Sequence, residues 1–111
     1  MPKITADILR GDVFWANLDP TKGAEIQKTR PVVVLSINPI NKARKTVVVV
    51  PLSTSAPAID FLNVPLRGGS VARCEHIRAI DKMRLTTKIG SISSADLGMI
   101  EAGLSRILGL N

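Results

Sequence analysis

Apolar positions in this chain come first as short β-branched runs and only at the end with the period of a helix. Residues 13–18 follow Gly11 and stop at Asp19-Pro20, and alternation puts Phe14, Ala16 and Leu18 on one face of a first strand. Residues 31–37 and 46–52 are two further runs of β-formers, and "NPINKARK" between them predicts an exposed connection. Residues 53–60 read as a loop, 61–66 as a fourth strand pushed to an edge by Pro65, and Arg67-Gly68-Gly69 as a turn. "VARCEHIRAI" alternates over residues 71–80 until Ile77 breaks the register, so a fifth strand with a bulge is expected, and residues 89–92 give a last short strand. Leu97, Ile100, Leu104, Ile107 and Leu108 then recur at helical spacing behind the capping-box-like pair Ser93 and Asp96, up to Gly109. Strands followed by one helix imply a mainly β (α+β) fold, a small antiparallel barrel with the C-terminal amphipathic helix over one opening.

The length of 111 residues fits one domain, 1–111. No apolar run approaches the roughly 20 residues that cross a bilayer, which favours a cytoplasmic protein with no membrane partner. One cysteine, Cys74, excludes an intramolecular disulfide, and with a single histidine the chain offers no metal-ligand constellation, so no cofactor is expected. Cys74 and Trp15 read as core residues, and His76 as part of the barrel wall.

Charge adds a direction. A net charge of +6 on so small a domain favours polyanionic partners, nucleic acid or an acidic protein tail. With only Trp15, Phe14 and Phe61 as aromatics, recognition should lean on charge and hydrogen bonds more than on stacking. The junction at Arg30-Pro31 is specific: proline disfavours the helical region for the residue before it, so Arg30 is held extended at the start of a strand, as a structural clamp or as a reader of anions.

The blocks "RGDVFWANLDPTKGAEIQKTRPVVVLS", "TVVVVPLST", "CEHIRAIDKMRL" and "KIGSIS", in that order before a terminal helix, resemble the MazF and PemK family of toxins over nearly the whole chain. The resemblance implies an SH3-like barrel that forms a homodimer, cleaves single-stranded RNA without a metal, and is neutralised by an antitoxin with an acidic tail; DNA is met only indirectly, through that antitoxin. Arg30 and Ser53 match the family's arginine and threonine pair, with Thr54 next to Ser53 able to take its place. Glu25 matches a family glutamate, and Arg73-Cys74-Glu75 stands where the PemK branch has an arginine and an aspartate as acid and base. Asp81, Lys82 and Arg84 match a stretch read as structural, a turn or short helix with an ion pair.

The chemistry follows from the residue types. RNA carries its own nucleophile, the 2′-hydroxyl, so a metal-free cleaver must accept that proton, neutralise a phosphorane and assist the 5′-oxygen as it leaves. A guanidinium such as Arg30 suits the second task through paired hydrogen bonds to phosphate oxygens. Glu25 and Glu75 are the candidate proton acceptors. Lys22, Lys28, Arg67 and Arg73 are candidate phosphate contacts, and Gly68-Gly69 is either an ordinary turn or a loop whose amides approach phosphate. Lys28 and Ile26 depart from the family pattern in the loop expected to touch bases, so RNA sequence preference is the property expected to differ. Two competing classes are a gyrase-poisoning toxin of the CcdB type, disfavoured because the chain ends in "LGLN" with no tryptophan nearby, and a non-catalytic barrel that binds nucleic acid.

Overall fold

The computed structural model describes residues 7–18, 29–54 and 63–110. Its elements are β1 (Asp12–Asn17), β2 (Thr29–Val34), α1 (Asn38–Ala43), β3 (Thr46–Ser53), β4 (Asn63–Pro65), β5 (Val71–Arg73), β6 (Arg78–Asp81), β7 (Leu85–Ser91) and α2 (Ser94–Leu108), with short 3₁₀ turns at Cys74–His76 and Lys82–Arg84. The seven strands form one antiparallel sheet in which β3 is the hub: β6 pairs along its first half, β5 along its last two residues and β2 along the opposite edge.

Five strands follow the path β6-β3-β2-β1-β7, and the turn Lys82–Arg84 carries the chain from one end of that path to the other, as in an SH3-like barrel. Two arginines bind this closure to the end of β1. Arg84 Nη1 donates to the Asn17 carbonyl at 3.0 Å and Arg78 Nη1 to the Leu18 carbonyl at 3.2 Å. Asp81 accepts from the Met83 amide at 2.8 Å and so caps the turn, in place of the ion pair expected there.

The β-branched runs look unbroken because the sheet is buried on both faces. Phe14, Ala16, Val32, Val34, Val47 and Val49 fill the barrel with Leu85 and Ile80, while Val13, Val33, Leu35, Val50 and Leu52 face a second core with Cys74 and Ile100. Helix α2 therefore packs on the outer face of the sheet, through Ile100, Leu97, Leu104 and Ile107, and does not stop the barrel mouth. The helix bounds match expectation: Ser93 Oγ accepts the Asp96 amide at 3.1 Å, and Gly109 ends the helix in the left-handed region at φ 66°.

Several expectations change. "NPINKARK" contains a six-residue helix, α1, which buries Asn41 against Ser36: Asn41 Nδ2 donates to the Ser36 carbonyl at 2.8 Å. The single strand over residues 71–80 is two strands, β5 and β6, because the Cys74–His76 turn replaces the bulge and buries Cys74 in the second core. That turn also turns His76 outward, so it is exposed and not in the barrel wall. Trp15 is 42% exposed: it lies on the outer face, level with Pro31 and Thr87, where α2 does not cover it.

Candidate active site

Sequence puts Arg30 one residue into β2 and Ser53 at the last residue of β3. The β2–β3 register pairs Val32 with Pro51 and Val33 with Val50. Continued two residues along both strands, it sets Arg30 level with Ser53. Alternation puts both on the barrel-facing side, because Val32, Val34, Val47 and Val49 on that side fill the barrel. β1 adds Ala16 opposite Arg30, and β5 adds Val71 opposite Ser53. One cross-strand row thus reads Leu85, Ala16, Arg30, Ser53, Val71, Pro65, from β7 to β4. Apolar neighbours surround the only two groups in that row with side-chain chemistry.

Ser53 is buried at 7% exposure, while Thr54 is exposed in the bend that follows. The buried hydroxyl in the row is therefore that of Ser53. Arg73 lies two residues beyond Val71 on β5, on the same face as Ser53, and is half-buried. Strands about 4.8 Å apart and diagonal neighbours about 7 to 8 Å apart put both guanidiniums within reach of a phosphate held over Ser53. Among the described residues the Arg73 side chain makes no hydrogen bond or ion pair, and its Nε is buried without a partner.

Glu75 follows Arg73 by two residues in the Cys74–His76 turn and is exposed, so strand alternation no longer governs its direction. Its place fits a carboxylate at the edge of the row. Glu25, Lys22 and Lys28 lie outside the described residues.

Arg67, Gly68 and Gly69 form the β4–β5 hairpin turn. Leu66 and Ser70 close it with a 2.8 Å hydrogen bond, and the Gly69 amide donates to the Leu66 carbonyl at 3.1 Å with φ at 94°. The glycine is needed for that backbone conformation, and its amide is committed to the turn. Asp96 Oδ1 accepts the Arg67 amide at 3.2 Å, so the Asp96 carboxylate ties the hairpin to α2 where a capping box would fold it back on Ser93. Arg67 itself is exposed beside the row.

One buried polar residue on the same face as Ser53 went unnoticed in the sequence. Asn63 on β4 is paired with Arg73 across the strands, is 7% exposed, and holds Oδ1 buried without a hydrogen bond. Its only signal was an asparagine inside a strand pattern. Cys74 contacts neither arginine's face: it is fully buried in the second core, and desolvation pushes its thiol up from 9.0 to about 11. Among the described residues no group of three or more His, Cys, Asp or Glu could hold a metal ion, and no helix is long and apolar enough to cross a membrane.

Comparison with known proteins places the chain as a whole. Endoribonuclease MazF of Staphylococcus epidermidis is 34% identical over 94% of this chain and 93% of its own length. Endoribonuclease PemK of Escherichia coli is 32% identical over 93% of this chain and 84% of its own. A mycobacterial endoribonuclease solved in complex with its cognate antitoxin superposes with a TM-score of 0.79 at 25% identity, covering 94% of this chain and 97% of that one. The fold is shared with a MazE–MazF complex of Deinococcus radiodurans at a TM-score of 0.84 and 23% identity, covering 96% of this chain and 99% of that one. The profile of the PemK-like, MazF-like toxins matches residues 9–108, so this chain belongs to that family of type II toxin–antitoxin systems.

Proposed function

We propose that this toxin is an endoribonuclease that cuts single-stranded RNA without a metal, by attack of the RNA's own 2′-hydroxyl. The observation that carries the reading is the β2–β3 register at Val32 and Pro51, which, continued two residues, brings Arg30 level with Ser53 on the face that alternation gives to Arg73. In the reaction the 2′-oxygen forms a bond to phosphorus and the bond to the 5′-oxygen breaks. The products are a 2′,3′-cyclic phosphate and a 5′-hydroxyl. Arg30 stabilises the charge on the phosphorane oxygens, and Ser53 Oγ donates to a non-bridging oxygen. Glu25 or Glu75 accepts the 2′-hydroxyl proton, and the 5′-oxygen takes a proton from water. Lys22, Lys28, Arg67 and Arg73 hold flanking phosphates and set the register of the strand.

The partner is an antitoxin with an acidic tail. Supporting it are the net charge of +6 and the mycobacterial endoribonuclease solved in complex with its cognate antitoxin. A homodimer in the cytoplasm is the working form; exposed Met99, Leu108 and Leu110 supply apolar surface for it.

The test is incubation of the purified protein with mixed-sequence single-stranded RNA in excess EDTA, with fragment ends read by mass spectrometry. Cyclic phosphates facing 5′-hydroxyls support the mechanism. Ends bearing a 5′-phosphate, or cleavage abolished by EDTA, overturn it, and intact RNA that is nevertheless bound favours a non-catalytic barrel.

A further inference from the structure

Arg30 is held chiefly by β1. Strand β2 pairs with β1 from Val33 down to Thr29, which puts Arg30 opposite Ala16 and Thr29 opposite Asn17, whereas the β2–β3 pair nearest to Arg30 is Val32 with Pro51. The placing of the guanidinium therefore depends on how firmly the last residues of β1 are fixed. At this level β1 and β7 shift register: Trp15 pairs with Thr87 and Ala16 with Leu85, so Thr86 is left over as a bulge. Side chains take over from the interrupted ladder. Thr86 Oγ1 donates to the Trp15 carbonyl at 3.2 Å, and Arg84 Nη1 donates to the Asn17 carbonyl at 3.0 Å.

Of these two contacts the arginine's is the stronger. A guanidinium bond to a carbonyl is charge-assisted, and the planar fork loses little freedom for each bond it forms. Arg84 is half-buried, and among the described residues its side chain has no carboxylate partner and makes this hydrogen bond alone. Its chain neighbour Leu85 pairs with Ala16, so Arg84 and Leu85 together grip the two β1 residues that stand opposite Thr29 and Arg30.

We propose that Arg84 is a positioning residue for RNA cleavage. By fixing the Asn17 carbonyl it holds the exit of β1, and through the Asn17–Thr29 and Ala16–Arg30 pairs it sets where the Arg30 guanidinium meets the phosphate. Arg84 itself does not touch the RNA. This rests on the reading of the chain as an RNA-cleaving enzyme.

The test is a mutant cycle on single-turnover cleavage of single-stranded RNA at saturating enzyme, with wild type, Arg84→Met, Arg30→Ala and the double variant. Arg84→Lys, which restores one donor, and Arg78→Met accompany it. Arg78 is the control because its bond to the Leu18 carbonyl at 3.2 Å lies one residue past the last β1–β2 pair. Arg84→Met should slow the saturated rate about tenfold or more, and Arg84→Lys should recover part of that loss. In the Arg30→Ala background Arg84→Met should add less than about twofold, since it acts through a side chain that is gone. Arg78→Met should lower Tm about as far as Arg84→Met and keep the rate within about twofold of wild type. An unchanged rate in Arg84→Met overturns the proposal, as does a loss that multiplies with that of Arg30→Ala. An equal loss in Arg78→Met also overturns it, because general loosening then explains both. If Arg84→Met does not fold, Arg84→Gln carries the same cycle, and failure of both to fold makes Arg84 structural. Should wild type leave RNA uncut, the catalytic reading fails by itself, and the same cycle read by anisotropy of RNA binding decides whether Arg84 acts through Arg30.

Discussion

Continuing the β2–β3 register two residues past the pairing of Val32 with Pro51 brings Arg30 level with Ser53 on neighbouring antiparallel strands. Arg30 thus lies one residue into β2 and Ser53 closes β3, so a guanidinium and a hydroxyl share one end of the barrel with rigid strand behind each. Placement on strands suits groups that must hold a transition state without rearranging.

Arg30→Ala should lower the rate constant for RNA cleavage by roughly 10²- to 10³-fold, the usual effect of removing one donor to a developing oxyanion. Arg30→Lys keeps the charge but loses the paired geometry, so it should recover only part of the rate. Single-turnover cleavage with substrate in deficit measures both, and thermal unfolding should show both variants folded.

The buried position of Ser53 and the exposed position of Thr54 predict different outcomes at adjacent residues. Ser53→Ala should slow cleavage about tenfold or more while Ser53→Thr keeps most of the rate, and Thr54→Ala should stay near wild type. The same single-turnover assay separates them, and the reverse ranking would move the phosphate contact to Thr54.

Asp96 holds the β4–β5 hairpin to α2 through the Arg67 amide, and its own amide is capped by Ser93. Asp96→Ala leaves the Arg67 N–H without its acceptor and should cost about 1 to 2 kcal/mol in chemical denaturation. Hydrogen exchange should quicken at the hairpin before it does in β1 to β3.

Burial raises the Cys74 thiol from 9.0 to about 11. The folded state therefore holds the proton more tightly than the unfolded chain. This contribution is complete below pH 9 and falls as pH rises from about 9 to 11. Tm should drop more steeply across that window for wild type than for Cys74→Ala. At neutral pH iodoacetamide should label Cys74 only in denaturant.

Helix α2 was legible because its period, its Ser93 cap and its Gly109 stop all agree. The strands were legible as β-branched runs, yet their two-sided burial was not, since residues such as Val33 and Val34 are equally apolar and only the packed helix shows which face each serves. The alternation through residues 71–80 misled because Cys74 is small and apolar enough to enter the second core from a 3₁₀ turn as readily as from a strand. Trp15 was misread for a related reason: an outward strand position counts as core only where something covers it, and α2 stops short of β1 at that level. Arg30 and Ser53 could be named from the sequence pattern, and register then brought them level. The pairing of Asn63 with Arg73 could not be read from the sequence, because no local spacing encodes it.

The most direct test of the account is a double-mutant cycle on single-turnover RNA cleavage with wild type, Arg30→Ala, Ser53→Ala and the double variant, each confirmed folded. If the two side chains act on one phosphorane, the double variant should be little slower than Arg30→Ala alone, a clear departure from additivity. Independent, multiplying losses, or single variants that cleave at the wild-type rate, would contradict it.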